Sequence, residues 1–170
     1  MTKKIYRLIH TCFGWVGLLG DANGRICRLS LPAATRDEAY CRLIKGTSEL
    51  AIESDSDFDL IAEQIIRYFN GETVNFNCEV DLSGQNEFDR LVWDATSEIG
   101  YGDVRSYAWV AERIGKVGAY RAVGQSLAKN PIPLIIPCHR VIKSNGELGG
   151  FSGGVDMKAR LLELERAAVV

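Results

Sequence analysis

Residues 106–131 read SYAWVAERIGKVGAYRAVGQSLAKNP. Ser106 stands where a helix N-cap belongs, and Tyr107, Val110, Ala111 and Ile114 then share one face. The run GKVG ends that helix, and residues 119–130 predict a second one, halted where Asn130 precedes Pro131. Two short helices across a glycine-bearing turn form a helix-turn-helix. By itself that pattern is weak, because many helix pairs bind nothing.

The second helix has two unlike faces. Ala119, Val123 and Leu127 make an inward stripe. Arg121, Gly124, Gln125 and Ala128 make the opposite face, bare except for one arginine near the N-terminus. Small residues let a helix backbone approach another surface closely, and the N-terminal amides favour a phosphate. The same residues would also serve ordinary helix–helix packing.

Downstream lies PIPLIIPCHRVIKSNG, residues 131–146, with three of the chain's four prolines and one of its two histidines. A structural cysteine needs no imidazole beside it, whereas a nucleophile does, since the thiolate is the reactive form and the ring can take its proton. Adjacent residues on a strand point to opposite faces, so Cys138 and His139 could not bond directly there. Either Pro137 begins a turn or helix end, or a water carries the proton. The ring also needs an orienting acceptor on its other nitrogen.

The C-terminal helix, about residues 156–166, offers one. Met157, Leu161, Leu164 and Ala168 form its apolar stripe, with Glu165 on the flank. A carboxylate near a buried face requires a partner; the alternative is an exposed helix-end charge. Between these elements, Phe151 and Ser152 sit between Gly149-Gly150 and Gly153-Gly154, a loop able to wrap a flat ligand and present backbone amides. It lacks the GK[ST] ending of a phosphate loop.

Upstream, KKIYRLIHT, GWVGLLGD and GRICRLSLP read as strands, with DANG a hairpin signal between the last two. Helices are expected over residues 36–45 and 57–70, the second with Phe58, Ile61, Ala62, Ile65 and Phe69 on one face and Gly71 to stop it. FNCEVDLSG is read as a last extended run. Residues 86–99 predict a further helix with Phe88, Leu91, Val92, Ala95 and Ile99 as its stripe. The expected fold is an α/β N-terminal domain (a small antiparallel sheet with helices) over residues 1–82. A mainly α C-terminal domain, winged-helix-like and containing the helix-turn-helix, follows over residues 86–170.

The composition fits this plan. A chain of 170 residues with 46% apolar content can bury a core without a metal or disulfide. No run approaches the ~20 apolar residues of a membrane span, and MTKKIYRLIH lacks a signal-peptide apolar region. Five cysteines without a CxxC pair read as reduced thiols of a cytoplasmic protein. His10, Cys12 and Cys27 follow no metal-ligand spacing, so no metal or other cofactor is expected. The net charge of −2 argues against strong nonspecific nucleic-acid binding. It conceals a polarity, however. Six acids and no base lie between Glu49 and Glu63, while residues 104–146 hold seven bases against Glu112 alone. A phosphate backbone would seek the basic segment, unless the charges merely coat two unrelated surfaces.

RAVGQSLAKNPIPLIIPCHRVI, GGFSGG and LLELE, in this order, resemble the O6-alkylguanine-DNA alkyltransferases, also called methylated-DNA–protein-cysteine methyltransferases. The resemblance is strong from Phe88 to Glu165 and weaker toward the start. It implies direct-reversal repair, in which Cys138 accepts the alkyl group from O6-alkylguanine (and O4-alkylthymine) in DNA, once, and keeps it. His139 would draw the thiol proton through a water, and Glu165 would orient His139. Tyr107 would protonate N3 of the leaving guanine and contact a phosphate, and Asn130 would brace the turn before the cysteine. The carbonyls of Cys138 and Val141 would accept from the guanine amino group, and the Ser152 amide would donate to O6. Pro133, Phe151 and Gly153 would complete the pocket.

Arg121 would fill the gap left by a flipped nucleotide. Ala119, Gly124, Gln125 and Ala128 would lie in the minor groove, where sequence readout is poor. The implied partner is alkylated double-stranded DNA, met by a monomer in the cytoplasm, nucleoid-associated in a prokaryote. Gly100, Gly150 and Phe151 depart from the proline, asparagine and tyrosine common there, which bears on loop rigidity and alkyl range. An alkyltransferase-like binder would lack Cys138, a cysteine hydrolase would not explain the helix pair, and a transcription regulator would not explain PCHR.

Overall fold

The computed structural model describes residues 3–48 and 50–169; residues 1, 2, 49 and 170, Glu49 of the acidic run among them, lie outside the described residues. Two compact units divide at Leu82 and Ser83.

In the first unit, β1 (Lys4–Thr11), β2 (Gly14–Asp21) and β3 (Ile26–Ala33) form an antiparallel meander. The DANG turn is fixed by Asp21, whose carboxylate accepts from the Asn23 and Arg25 amides at 2.9 and 3.0 Å. Gly14 has to be glycine: its φ is 121°, and a Cβ there would lie 2.4 Å from the Ala33 carbonyl oxygen. Thr35 caps α1 (Arg36–Ile44) by accepting from the Glu38 amide at 3.2 Å. After β4 (Ala51–Glu53), α2 (Asp59–Phe69) buries Ile61, Ala62, Ile65, Tyr68 and Phe69, the two isoleucines and the phenylalanine each contributing roughly 1.5–3 kcal/mol.

Two features depart from expectation. β4 joins β1 in parallel, so the sheet is mixed, in the order β3-β2-β1-β4. The extended run after α2 makes no strand; one parallel bridge joins Val80 to Ile26. The Gln64 side chain serves the backbone of this run instead, accepting from the Asn77 amide at 3.2 Å and donating to the Asn75 carbonyl at 3.3 Å.

In the second unit, α3 (Glu87–Ser97) starts at Asn86, which accepts from the Asp89 amide at 2.8 Å. Its buried side is Val92, Trp93, Ala95 and Thr96, while Leu91, placed in the expected stripe, is 40% exposed. Trp93 rotates the buried face toward itself because its indole N–H reaches the Ser126 carbonyl at 3.1 Å. That carbonyl belongs to α5 (Tyr120–Ala128), which packs on α3 and on α4 (Tyr107–Arg113).

Ser106 caps α4 through the Trp109 amide at 3.0 Å. The turn before α5 is made by Gly115 and Gly118, both left-handed with φ of 72° and 84°. β5 (Arg105–Ser106) pairs in parallel with β6 (Val141–Ile142), bringing the start of α4 beside the segment that follows Cys138. Last comes α6 (Val155–Val169), packed against the 3₁₀ turn Cys138–Arg140.

Candidate active site

The turn between α5 and Cys138 is tied at both ends by Asn130. Its side-chain oxygen accepts from the Ile132 amide at 3.0 Å, and its amide donates to the Ile136 carbonyl at 2.9 Å and to Cys138 Sγ at 3.1 Å. Leu134, buried inside this turn, holds a φ of 73°, a conformation that costs a non-glycine residue energy and persists only where its surroundings impose it.

Pro137 ends the apolar run, and residues 138–140 wind into a 3₁₀ turn closed by the Arg140 amide on the Pro137 carbonyl at 2.9 Å. Pro137 thus begins a turn, one of the two ways in which Cys138 and His139 could act together. Three residues per turn set neighbours roughly a third of a revolution apart, so neither side chain is forced to the face opposite the other.

Cys138 is buried, 4% exposed, at the floor of a cavity of about 740 Å³. His139 is fully buried, and its Nε2 lies 2.6 Å from Glu165 Oε1. Burial by itself would raise the Glu165 pKa, but hydrogen bonds and charge from His139 and Arg140 outweigh it and hold it at about 2. An ionised carboxylate only accepts, so Nε2 carries the ring proton and Nδ1 carries the lone pair. Burial pushes the His139 pKa down, with Glu165 opposing. Burial pushes the Cys138 thiol up, with Asn130 and Lys158 opposing. The resting pair is thus a neutral thiol and a neutral imidazole.

Two buried cations belong to this site and were not singled out from the sequence. Arg140 grips Glu165 with Nε at 2.9 Å and Nη2 at 3.0 Å, and its Nη1 donates to the Ile99 carbonyl at 2.7 Å. Lys158, fully buried on α6, donates to the Val141 carbonyl at 2.6 Å, the Gly150 carbonyl at 3.2 Å and the Tyr107 hydroxyl at 3.4 Å. Burial lowers its pKa to about 8, with Cys138 acting the other way. The buried face of α6 is Lys158, Leu161 and Glu165, so the lysine could have been found by extending the stripe through Glu165 one turn beyond Leu161.

Around the cavity stand Tyr107, Arg121, Gly124, Gln125, Ala128, Phe151 and Ser152 of the expected set, joined by Tyr120, Leu127, Lys143, Gly149 and Gly150. Ala119, Pro133, Val141 and Gly153 do not line it. Ala119 occupies the position just before α5 without a side-chain cap, Pro133 and Val141 are buried, and Gly153 is exposed on the loop. The Val141 carbonyl is engaged by Lys158. Gly149, with φ 76°, passes Tyr107 so closely that a Cβ would sit 2.7 Å from the hydroxyl.

The basic segment presents less free charge than its sequence. Arg140 faces inward, and Arg113, Lys129 and Lys143 pair with Glu98, Asp89 and Glu147, all outside residues 104–146. Arg105, Lys116 and Arg121 form no ion pair among the described residues. In the first unit, His10 lies against Trp15, Cys12 donates to the Phe69 carbonyl, and Cys27 to the Leu19 carbonyl. No helix of the described residues is long and apolar enough to cross a membrane.

The chain thus joins a buried thiol to a helix-turn-helix, the thiol and the outer face of the second helix lining one cavity. The comparisons with known proteins agree. Residues 87–167 match the DNA-binding domain of 6-O-methylguanine DNA methyltransferase. The methylated-DNA–protein-cysteine methyltransferase of Mycolicibacterium paratuberculosis is 49% identical over 114 residues, covering 67% of this chain and 68% of that one. That of Methanosarcina acetivorans is 40% identical over 165 residues, 94% of this chain and 97% of the other. The crystal structure of Mycobacterium tuberculosis OGT in complex with DNA superposes with a TM-score of 0.82 at 36% identity, covering 96% of this chain and 94% of that chain. The chain belongs to the methylated-DNA–protein-cysteine methyltransferase family.

Proposed function

We propose that this chain repairs O6-alkylguanine, and O4-alkylthymine, in double-stranded DNA by moving the alkyl group to Cys138. One observation carries the reading: Cys138 lies at the end of a cavity whose other wall is the small-residue face of α5, with Arg121 in the lining. The thiol of a residue only 4% exposed cannot reach a base inside the stack, so the nucleotide must rotate out to meet it. Gly124, Gln125 and Ala128 suit a minor groove, and Arg121 would take the vacated place in the stack.

The thiol proton passes to Nδ1 of His139 through a water, and Glu165 holds the ring by Nε2. The thiolate sulfur then bonds the alkyl carbon as the carbon–O6 bond breaks, its electron pair leaving with the guanine. Tyr107 donates its hydroxyl proton to N3 of that leaving base, and burial keeps this hydroxyl protonated until then, its pKa raised above the ordinary value. Lys158 lies beside the phenol to balance the phenolate. The product is a stable thioether, so each chain acts once. The second unit holds all of these residues, and the chain is proposed to act as a monomer in the cytoplasm, with no cofactor.

Intact mass after incubation with a duplex carrying O6-methylguanine tests this. Wild type should gain one methylene stoichiometrically, and Cys138→Ala should gain none while still binding the duplex. Methyl uptake by Cys138→Ala would place the acceptor elsewhere.

A further inference from the structure

Two charged side chains line the cavity, Arg121 on α5 and Lys143 on the strand-to-loop turn after β6. They differ in their surroundings. Arg121 has no ion-pair partner among the described residues. Lys143 is held by Glu147, with Nζ 2.7 Å from Oε2, and both side chains are more than half exposed. The turn bearing them is well built. The Lys143 amide donates to the Glu147 carbonyl at 2.8 Å, the Gly146 amide to the Lys143 carbonyl at 3.0 Å, and the Glu147 amide to the Asn145 side chain at 3.1 Å. Gly146 supplies the left-handed φ of 88° the turn needs.

Nothing in the alkyl transfer uses this pair. Its position gives it another task. A nucleotide that rotates into the cavity draws its own phosphates toward the mouth, where a carboxylate is repelled and an ammonium attracted. Lysine suits such a contact, being a compact charge with three donors that can follow a moving phosphate.

We infer that Lys143 binds a backbone phosphate of the extruded nucleotide, and that Glu147 is an internal stand-in for that phosphate, occupying the lysine until DNA displaces it. The inference rests on the proposed DNA reading. It adds a contact on the loop side of the cavity, independent of the arginine on α5. It also predicts that the free protein restrains its own affinity, since each binding event exchanges a carboxylate for a phosphate on one ammonium.

Binding to a short duplex with one O6-methylguanine, measured on Cys138→Ala chains so that no methyl is consumed, tests it. Lys143→Ala should lower affinity about eightfold at 0.1 M salt and shallow the log–log salt slope by about 0.9, the value of one phosphate. Lys143→Arg should restore both. Glu147→Gln should raise affinity about two- to threefold, in the range of an exposed ion pair, and this gain should vanish in the Lys143→Ala background. Unchanged binding by Lys143→Ala, no rescue by arginine, or an equal Glu147→Gln gain in both backgrounds would each overturn the inference. In the last case Glu147 would merely repel DNA. The functional reading fails separately, if chains retaining Cys138 bind the duplex yet gain no methyl group.

Discussion

Glu165→Gln removes one charge from a fully buried cluster in which the carboxylate receives His139 Nε2, two guanidinium nitrogens of Arg140 and the Gly102 amide, the last at 3.2 Å. The loss can be sized from the protein. The carboxyl titrates at about 2 in the fold against an ordinary value of 4.5, a gap of 2.5 that corresponds to about 3 kcal/mol at 1.36 kcal/mol per pH unit. Because the folded pKa is depressed, this stability is present above pH 4.5 and disappears as pH falls toward 2. Glutamine keeps a hydrogen bond to the ring but leaves the Arg140 guanidinium, 7% exposed, without its counter-charge. Breaking a buried pair from one side costs about 3–5 kcal/mol, so the midpoint of thermal unfolding at pH 7 should drop by about 12 °C or more for a unit of this size.

Near pH 3 the wild-type advantage should have shrunk by about half, and the two midpoints should converge as pH falls to about 2. Glu165→Gln/Arg140→Met, which removes both charges, should regain most of the stability. It should not regain the rate, because the imidazolium still lacks an anion. Single-turnover alkylation against pH should shift toward alkaline values in both variants, where the thiol ionises unaided. A Glu165→Gln midpoint within a few degrees of wild type at pH 7, or a double variant with the wild-type pH profile, would refute the argument.

Arg121→Ala should slow repair of duplex far more than reaction with free O6-benzylguanine, because only the duplex has a stack to open, at a cost of a few kcal/mol; equal losses in single-turnover assays would assign Arg121 to the fold. Gly149→Ala should destabilise by about 1–2 kcal/mol from the left-handed backbone alone. It should also slow transfer, since the added methyl displaces the Tyr107 hydroxyl, 2.7 Å away; an unchanged unfolding midpoint and rate would contradict the close approach.

Local chemistry carried much of the fold. Ser106, the paired glycines of GKVG and the Asn130-Pro131 stop each act within a few residues, and α4, the turn and α5 follow them. β4 was not legible: its three residues lie within the acidic run and pair with β1 across the chain, a contact no local pattern announces. Leu91 was misplaced because a helical period fixes the spacing of a face but not its rotation, and Trp93 settles the rotation through a bond to α5. In the site, Cys138 and His139 stood out by adjacency and Glu165 by its flank position. Arg140 and Lys158 did not, since a lone cation is almost always exposed. Arg140 is buried only because Glu165, 25 residues away, meets it, and Lys158 because the Val141 and Gly150 carbonyls and Tyr107 do.

Those two cations alter how the nucleophile is understood. With the thiol and imidazole neutral, the buried cluster holds one negative charge on Glu165 against Arg140 and a Lys158 that is largely protonated at pH 7, given its pKa of about 8. The resting balance is one positive charge in excess. Glu165 cannot cancel both cations, because Arg140 already takes each of its oxygens. Ionising Cys138 onto His139 leaves that balance unchanged and moves a negative charge toward Lys158, and the thiol and Lys158 pull each other's pKa in the direction that favours their charged forms. Burial opposes the charged form of His139, so the ring can take the thiol proton only with Glu165 beside it to offset the imidazolium. In the proposed mechanism Lys158 would help to balance the thiolate, while Glu165 would hold the tautomer of His139, offset its imidazolium and anchor Arg140. The desolvation that holds the thiol neutral at rest also keeps Cys138 from reacting before a base fills the cavity.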